Sequence, residues 1–307
     1  MTTKYANAVA AVKAMENTLL TWNDLEQLIN AQSRAEINSL VMAKKGEENI
    51  STEAVWEMIH DYAPDSKELE ILLYKNDFHN LKASLKAMIS GKPPEKYYIR
   101  PTNLNLHHLT EKEYDSLPDY IRNTAYEAYD LIVGTSDGQL VDSFIDSEAL
   151  LAIQKSSESF GGDFMRKYAE LLTVCADIKT AYRCSKMRKQ KSFLERAICG
   201  SSELDKESLI RESLNEPESL LNFLEDSSYS EAARLLNESP AQFEKWCDDA
   251  IMELAETARM KSFGTEPLIA YYIATEAEQK NLRIITVCHE FGADRETITE
   301  RMRKLYV

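Results

Sequence analysis

The stretch from Pro267 to Gly292 most narrows what this chain can become. A proline suited to the first turn of a helix and a glycine suited to its stop enclose a run with no breaker inside it. At 1.5 Å of rise per residue that run is a helix of about 35 Å. It is apolar along one side and odd on the other, where Asn281 and Arg283 flank Leu282 although a surface helix needs nothing special there. Such a helix must bury its stripe against other elements, and the rest of the chain supplies more helices. Only 9 Gly and 8 Pro occur in 307 residues, of which 44% are hydrophobic and 28% charged. The expected fold class is therefore all-α.

Within the long helix an amide, an aliphatic and a base stand together as Asn281-Leu282-Arg283, and the pattern of an amide or acid, an aliphatic and a base occurs twice earlier, as Asn80-Leu81-Lys82 and Asp177-Ile178-Lys179. The three copies lie about one hundred residues apart, a period too long for the common solenoids. About 25 residues follow the third copy, and giving the other two the same tail puts boundaries near 105 and 201. Those positions coincide with the proline-bearing stretch 92–105 and with Gly200-Ser201-Ser202. The expectation is three helical units, 1–105, 106–201 and 202–307. Coincidence among helices would produce the same three-residue pattern. Asn80, Asp177 and Asn281 are then either buried polar clamps between helices or polar residues at the edge of each buried face. Asn281 and Arg283 either tie the third unit to its neighbours or face a socket.

Local punctuation fills in the elements. Asp24 opens a short helix, and Ser33 with Glu36 forms a capping box for a helix stopping at Gly46. Pro64 ends one helix and Asp65 starts the next, which reaches Gly91. Thr110 and Glu113 cap a short helix before Pro118. Leu140 to Ile145 and Leu150 to Ile153 read as separate pieces. Asp163 caps a long helix through Tyr182, and Ser202 with Asp205 caps the next. Ser239-Pro240 opens the cleanest amphipathic stripe, and a last helix from Asp294 carries Ile298, Met302 and Leu305 to the end.

Charge excludes several partners. Thirty-six Lys and Arg against 51 Asp and Glu give a formal charge of −15, which repels nucleic acid and anionic headgroups alike. The chain has neither GxxxxGK[ST] nor GxGxxG, so no cofactor is expected, and any ATP would be bound by another subunit. His107 and His108 beside Glu111 and Glu113 lack the HExxH spacing and read as surface histidines near a helix start. A calcium loop around Gly138 would need Val133 as its first ligand, so Asp137, Asp142 and Asp146 read as a turn and caps. No catalytic group is nominated. Five cysteines without a CxxC pair read as reduced cytoplasmic thiols, and neither a secretory leader nor a membrane span is expected. One basic run, Lys179, Arg183, Lys186, Arg188, Lys189 and Lys191, stands out in this acidic protein. It is either a solvated helix end favoured by the helix dipole, or a contact for an acidic partner surface or an interior wall.

The segment Phe263-Gly264-Thr265-Glu266-Pro267-Leu268-Ile269-Ala270-Tyr271, followed by Glu276 to Ile285, resembles the C subunit of the bacterial and archaeal V-type (A/V-type) ATPases, the counterpart of the eukaryotic d subunit. Asp77 to Lys82, Ser116-Leu117-Pro118, Gln139 to Asp142, Asp177-Ile178-Lys179 and Phe193 to Ala197 resemble the family in the same order. Cys288-His289-Glu290-Phe291 departs from it, where a more Lys- and Gly-rich turn is the family's pattern. The resemblance implies three similar helical domains in a pseudo-threefold funnel. It also implies a non-catalytic central-stalk subunit, joined in a hetero-oligomeric complex to the central shaft subunits and the membrane rotor ring. The protein would lie peripherally on the cytoplasmic face, coupling ATP to H+ or Na+ transport. A freestanding helical repeat scaffold is the alternative, and a helical hydrolase with an unmarked carboxylate or histidine site a more distant one.

Overall fold

The computed structural model describes residues 5–46, 51–63 and 66–307. Among them there is no strand, and the class is all-α. No helix among them is long and apolar enough to cross a membrane. The chain divides into two compact units, residues 67–233 and a unit built from both ends, 1–66 with 234–307.

The end-built unit holds α1 (Ala6–Met15), α2 (Trp22–Ile29), α3 (Arg34–Lys45) and α4 (Thr52–Tyr62) from the first part of the chain. The inserted unit holds α5 (Lys67–Glu70), α6 (Tyr74–Ser90), α7 (Leu106–Thr110), α8 (Asp119–Thr135) and α9 (Gly138–Phe160). It continues with α10 (Asp163–Lys186), α11 (Lys191–Ala197), α12 (Lys206–Ser213) and α13 (Pro217–Glu225). The dividing line runs through α14 (Ser230–Glu238), after which come α15 (Pro240–Glu256), α16 (Glu266–Glu290) and α17 (Arg295–Arg301).

Each unit is organised around one long helix. In the end-built unit α16 packs against α15, α4, α1, α3 and α17. Its first half, Pro267 to Thr275, is buried on every side, so no single stripe describes it. Tyr271 and Tyr272 fill the space there, with the Trp56 ring edge-on to Tyr272 at 5.8 Å. Its second half joins one apolar cluster through Ile285 and Cys288, with Leu25, Leu28, Ile37 and Ile298. In the inserted unit α9 packs against α10, α8, α6 and α11.

Punctuation placed many ends. Pro267 lies in the first turn of α16, and Gly292 adopts the left-handed φ of 67° just beyond its end. Ser33 caps α3 and left-handed Gly46 closes it, while Ser239 caps α15 with Pro240 behind it. Asp137 caps α9 by accepting the Gln139 and Leu140 N–H groups.

Other ends differ from the sequence reading. Asp24 is the third residue of α2, in a capping box whose cap is Thr21. Asp163 is the first residue inside α10, where a carboxylate meets the helix dipole without capping. The cap of α12 is Asp205 without Ser202, and α7 is capped by Asn105, so Thr110 ends that helix instead of starting one. The pieces either side of Ser147 are a single helix, because Ser147 is buried inside α9 and no breaker separates them. The last helix stops at Arg301, and residues 302–307 are non-helical although Met302 and Tyr306 are buried. The expected stop at Pro64 and start at Asp65 lie outside the described residues.

Ile285 is fully buried in the cluster at the second half of α16, whereas Val287 is 41% exposed. Ile285→Ala is expected to cost about 2–5 kcal/mol in urea unfolding followed by circular dichroism. Val287→Ala should stay within about 0.5 kcal/mol in the same measurement.

Candidate functional site

The three sequence echoes share one job. After each long helix comes one short helical element, the 3-10 turn Pro94–Tyr97, α11 or α17, and then irregular backbone, whose N–H and C=O groups have no helical partner and cannot be buried unpaired. On α6 the buried Asn80 side chain accepts the Ile99 N–H at 2.7 Å and donates to the Ile99 carbonyl at 3.0 Å. On α16 the buried Asn281 side chain accepts the Arg303 N–H at 2.8 Å and donates to the Arg303 carbonyl at 3.0 Å. A primary amide presents one donor and one acceptor side by side, so it pairs with both backbone groups of one extended residue. On α10 the equivalent residue is an acid, and it is matched differently. Asp177 accepts two successive N–H groups, from Cys199 at 3.0 Å and Gly200 at 2.6 Å. The clamped residues lie 19, 22 and 22 positions beyond their clamps.

Gly200 completes the second clamp. Its φ of +82° is left-handed, and a Cβ there would stand 2.8 Å from that of Lys206. With its N–H on Asp177, its carbonyl accepts from the Gln154 amide at 3.1 Å. A polar cavity of about 570 Å³ opens beside it, bordered by Gln154, Cys199 and Lys206.

A second buried acid stands one turn before two of the clamps, and sequence reading overlooked both. Asp77 on α6 accepts from the Asn103 backbone and side chain, both at 2.9 Å, from Tyr120 at 2.6 Å and from Thr102. Glu278 on α16 accepts the Leu20 N–H at 2.6 Å and forms an ion pair with Lys45, both side chains nearly fully buried. The overlooked signal is an acid three residues before the amide, Asp77-x-x-Asn80 and Glu278-x-x-Asn281. On α10 that place is Val174.

Burial dominates the titration of the two aspartates. It pushes Asp77 up to about 6 against the pull of Thr102, Tyr120 and Asn103, and Asp177 up to about 6 against the N–H groups of Cys199 and Gly200. The Cys199 thiol, beside Asp177, is pushed up to about 12 by the same burial. Such a thiol is not a nucleophile at neutral pH. Asp177 is spent on holding backbone, and Asp77 and Glu278 hold backbone N–H groups together with side-chain partners.

The bases of the echoes do not share a setting. Lys82 pairs with Asp146 on α9 at 2.5 Å, Lys179 is exposed, and Arg283 is exposed on the wall of a cavity of about 600 Å³ that Arg34, Leu282 and Glu290 also line. Thus the amides or acid, and not the bases, are the common element. The basic run forms the exposed end of α10 and the turn after it. Lys186 lies over the Tyr182 ring, and Lys189 donates to Gln139 at 2.8 Å while lying over Phe193. Arg188 has a left-handed φ of 50°, a conformation that glycine adopts more readily at a helix end. Its exposed guanidinium stands 3.6 Å from Glu216. His108 pairs with Glu113 at 2.7 Å, and among the described residues no group of three His, Cys, Asp or Glu is placed to hold a metal ion.

Residues 49–301 match the family described as ATP synthase (C/AC39) subunit. The chain is also 25% identical over 321 residues to the C subunit of the V-type sodium ATPase of Enterococcus hirae, covering 96% of this chain and 97% of that protein.

Two substitutions test the clamps. Asn281→Asp would set a carboxylate oxygen against the Arg303 carbonyl and is expected to cost about 1–3 kcal/mol. It should also expose residues 302–307 to limited proteolysis. For Asp177, a folded pKa of about 6 against an ordinary 3.8 means its stabilising contribution is complete below the lower value and lost as pH rises through the higher. The stability difference between the native protein and Asp177→Asn should therefore shift in the native protein's favour as pH falls across that window, read from urea midpoints.

Proposed function

The chain belongs to the ATP synthase (C/AC39) subunit family, and from that premise we propose that it is the central-stalk coupling subunit of a V-type rotary ATPase. In this role it joins the rotating shaft of the soluble head to the membrane rotor ring and has no active site of its own. The observation that carries the reading is a family relation over nearly the whole chain, including the long helices that bear the echoes. The site chemistry supports it, since its buried polar groups fix the backbone that follows each long helix.

Three similar domains, 1–105, 106–201 and 202–307, arranged as a pseudo-threefold funnel, belong to this proposal. It draws support from the three side-chain clamps, each of which secures the tail after its long helix. Interiors packed at crystal-like density resist compression, so such helices can pass a load without yielding. The protein would sit peripherally at the cytoplasmic face through its partners. The transported ion is sodium for the Enterococcus hirae relative; here it is H+ or Na+, a property set by the ring.

The basic end of α10 is the proposed contact for an acidic partner surface. Its cations lie on an otherwise acidic protein, and Arg188 keeps a strained backbone where glycine would be easier.

A tagged chain should bring the shaft and ring subunits with it from cells in which the ATPase is intact; its purification without them would overturn the assignment. Reversing Lys186, Arg188 and Lys189 to Glu should weaken that assembly. Arg188→Gly separates strain from contact. It is expected to raise stability by about 1 kcal/mol in thermal or urea unfolding while weakening assembly, and unaltered assembly would make this end of α10 plain solvated surface.

A further inference from the structure

A cavity of about 450 Å³ opens along α6, bordered by His79, Lys82, Lys86, Lys92 and Tyr97. Its floor is Ala83 and Ala87, two small residues one turn apart that leave room between the longer side chains. Three lysines and a histidine thus border one concave place in a protein of formal charge −15, with the Lys82 and Lys86 ammonium groups paired to Asp146 and Asp142 at its edge. We propose that this cavity binds a phosphate-bearing anion through Lys82, Lys86, Lys92 and His79.

The state of each group favours a multiply charged ligand. Lys82 pairs with Asp146 at 2.5 Å and Lys86 with Asp142 at 2.6 Å, both from α9. Each pair has an exposed member, and such pairs hold their geometry weakly. A single carboxylate arriving from outside would only exchange with Asp142 or Asp146. A phosphate offers more charge and three acceptor oxygens, enough to engage two or three ammonium groups at once. Its recognition would come from side-chain cations and not from a glycine-rich loop, which is why no phosphate-binding motif is visible in the sequence.

His79 supplies the specific readout. Its Nε2 lies 3.2 Å from the Tyr97 carbonyl, which can only accept, so the ring proton sits on Nε2. Nδ1 has no hydrogen-bond partner among the described residues. Burial, with Lys82 and Lys86 adding to it, holds the imidazole below its ordinary value against the opposing pull of the Tyr97 carbonyl and Asp146. The charged groups around it are Lys82 and Lys86 on its own helix, Lys92 from the following turn, and Asp142 and Asp146 from α9. Helices α7 and α8 contribute no residue to the lining. An anion in the cavity would favour the imidazolium and accept from Nδ1–H, so binding takes up a proton and tightens as pH falls from the bound-state pKa to that of the free state.

The test uses the full chain and inorganic phosphate, with chloride at matched ionic strength as reference. The ring C–H resonances of the five histidines are followed by NMR across pH. His79 is expected to shift saturably with phosphate, its midpoint rising by about one pH unit. The double variant Lys82→Gln with Lys86→Gln should weaken phosphate at least about tenfold. A His79 curve identical in the two salts, or equal shifts at His60, His107, His108 and His289, would overturn the proposal. If the double variant unfolds, Lys92→Gln serves in its place, with the same loss expected. Sedimentation with phosphatidylcholine vesicles, with and without phosphatidic acid, then assigns the source. Co-sedimentation that needs both phosphatidic acid and Lys86 marks a lipid headgroup, and a phosphate response without it marks a soluble ligand.

Discussion

A long helix solves its own backbone hydrogen bonding, and the chain that leaves it does not. Every irregular segment packed against such a helix brings N–H and C=O groups that must be paired before they can be buried. In this protein the pairing comes from a single polar side chain on the helix itself, at Asn80, Asp177 and Asn281. Each of the three is essentially fully buried. A buried amide or carboxylate left unpaired would cost more than an apolar residue in its place. The interaction is therefore also selective: the tail must arrive in one register, because a shift would leave both partners unsatisfied.

The amide and acid versions solve different geometries. Asn80 and Asn281 each read one extended residue, meeting its N–H with an oxygen and its carbonyl with a nitrogen. Asp177 meets two N–H donors and no acceptor, which an amide could not do without turning its own NH2 on one of them. The left-handed φ of Gly200 turns the chain just after that second N–H, and its carbonyl meets the Gln154 amide. Acid and glycine thus belong together, and the cost of burying a charge shows in the raised pKa of Asp177. Asp77 meets that cost with four donors and Glu278 with the buried Lys45.

Much of this was legible from the residues. Scarce Gly and Pro marked long helices, and Ser33, Ser239, Gly46, Gly91 and Gly292 stand at or next to helix ends. The failures have physical causes. Met302 and Tyr306 have helical spacing, yet Asn281 occupies the N–H and C=O of Arg303, which a helix would have needed. Asp24 and Asp163 fit a cap by composition, but a cap depends on the cap residue's own extended φ and ψ, which Thr21 and Gly162 adopt and which residue type alone does not encode. Asp77 and Glu278 were lost among 51 acids because a carboxylate three residues before an amide points to burial only once that amide is known to be buried. Burial is decided by what packs over the helix, here the segments at Asn103 and Leu20.

The echoes also show which part of a short pattern carries information. All three members recur in sequence, but only the first repeats its structural setting. The aliphatic is fully buried at Leu81 and Ile178 and half-buried at Leu282, and the base has three different surroundings. A base two residues beyond a buried position points roughly 200° away around the helix, so the clamp itself sends that base toward the outer face. There it is free to serve whatever the local surface requires: an ion pair to α9 for Lys82, a cavity wall for Arg283. Shared geometry on the inner face with divergent chemistry on the outer face suits copies that keep one fold while meeting different neighbours. In the coupling role proposed above, that divergence would let the three echo-bearing helices face partners that are themselves unlike.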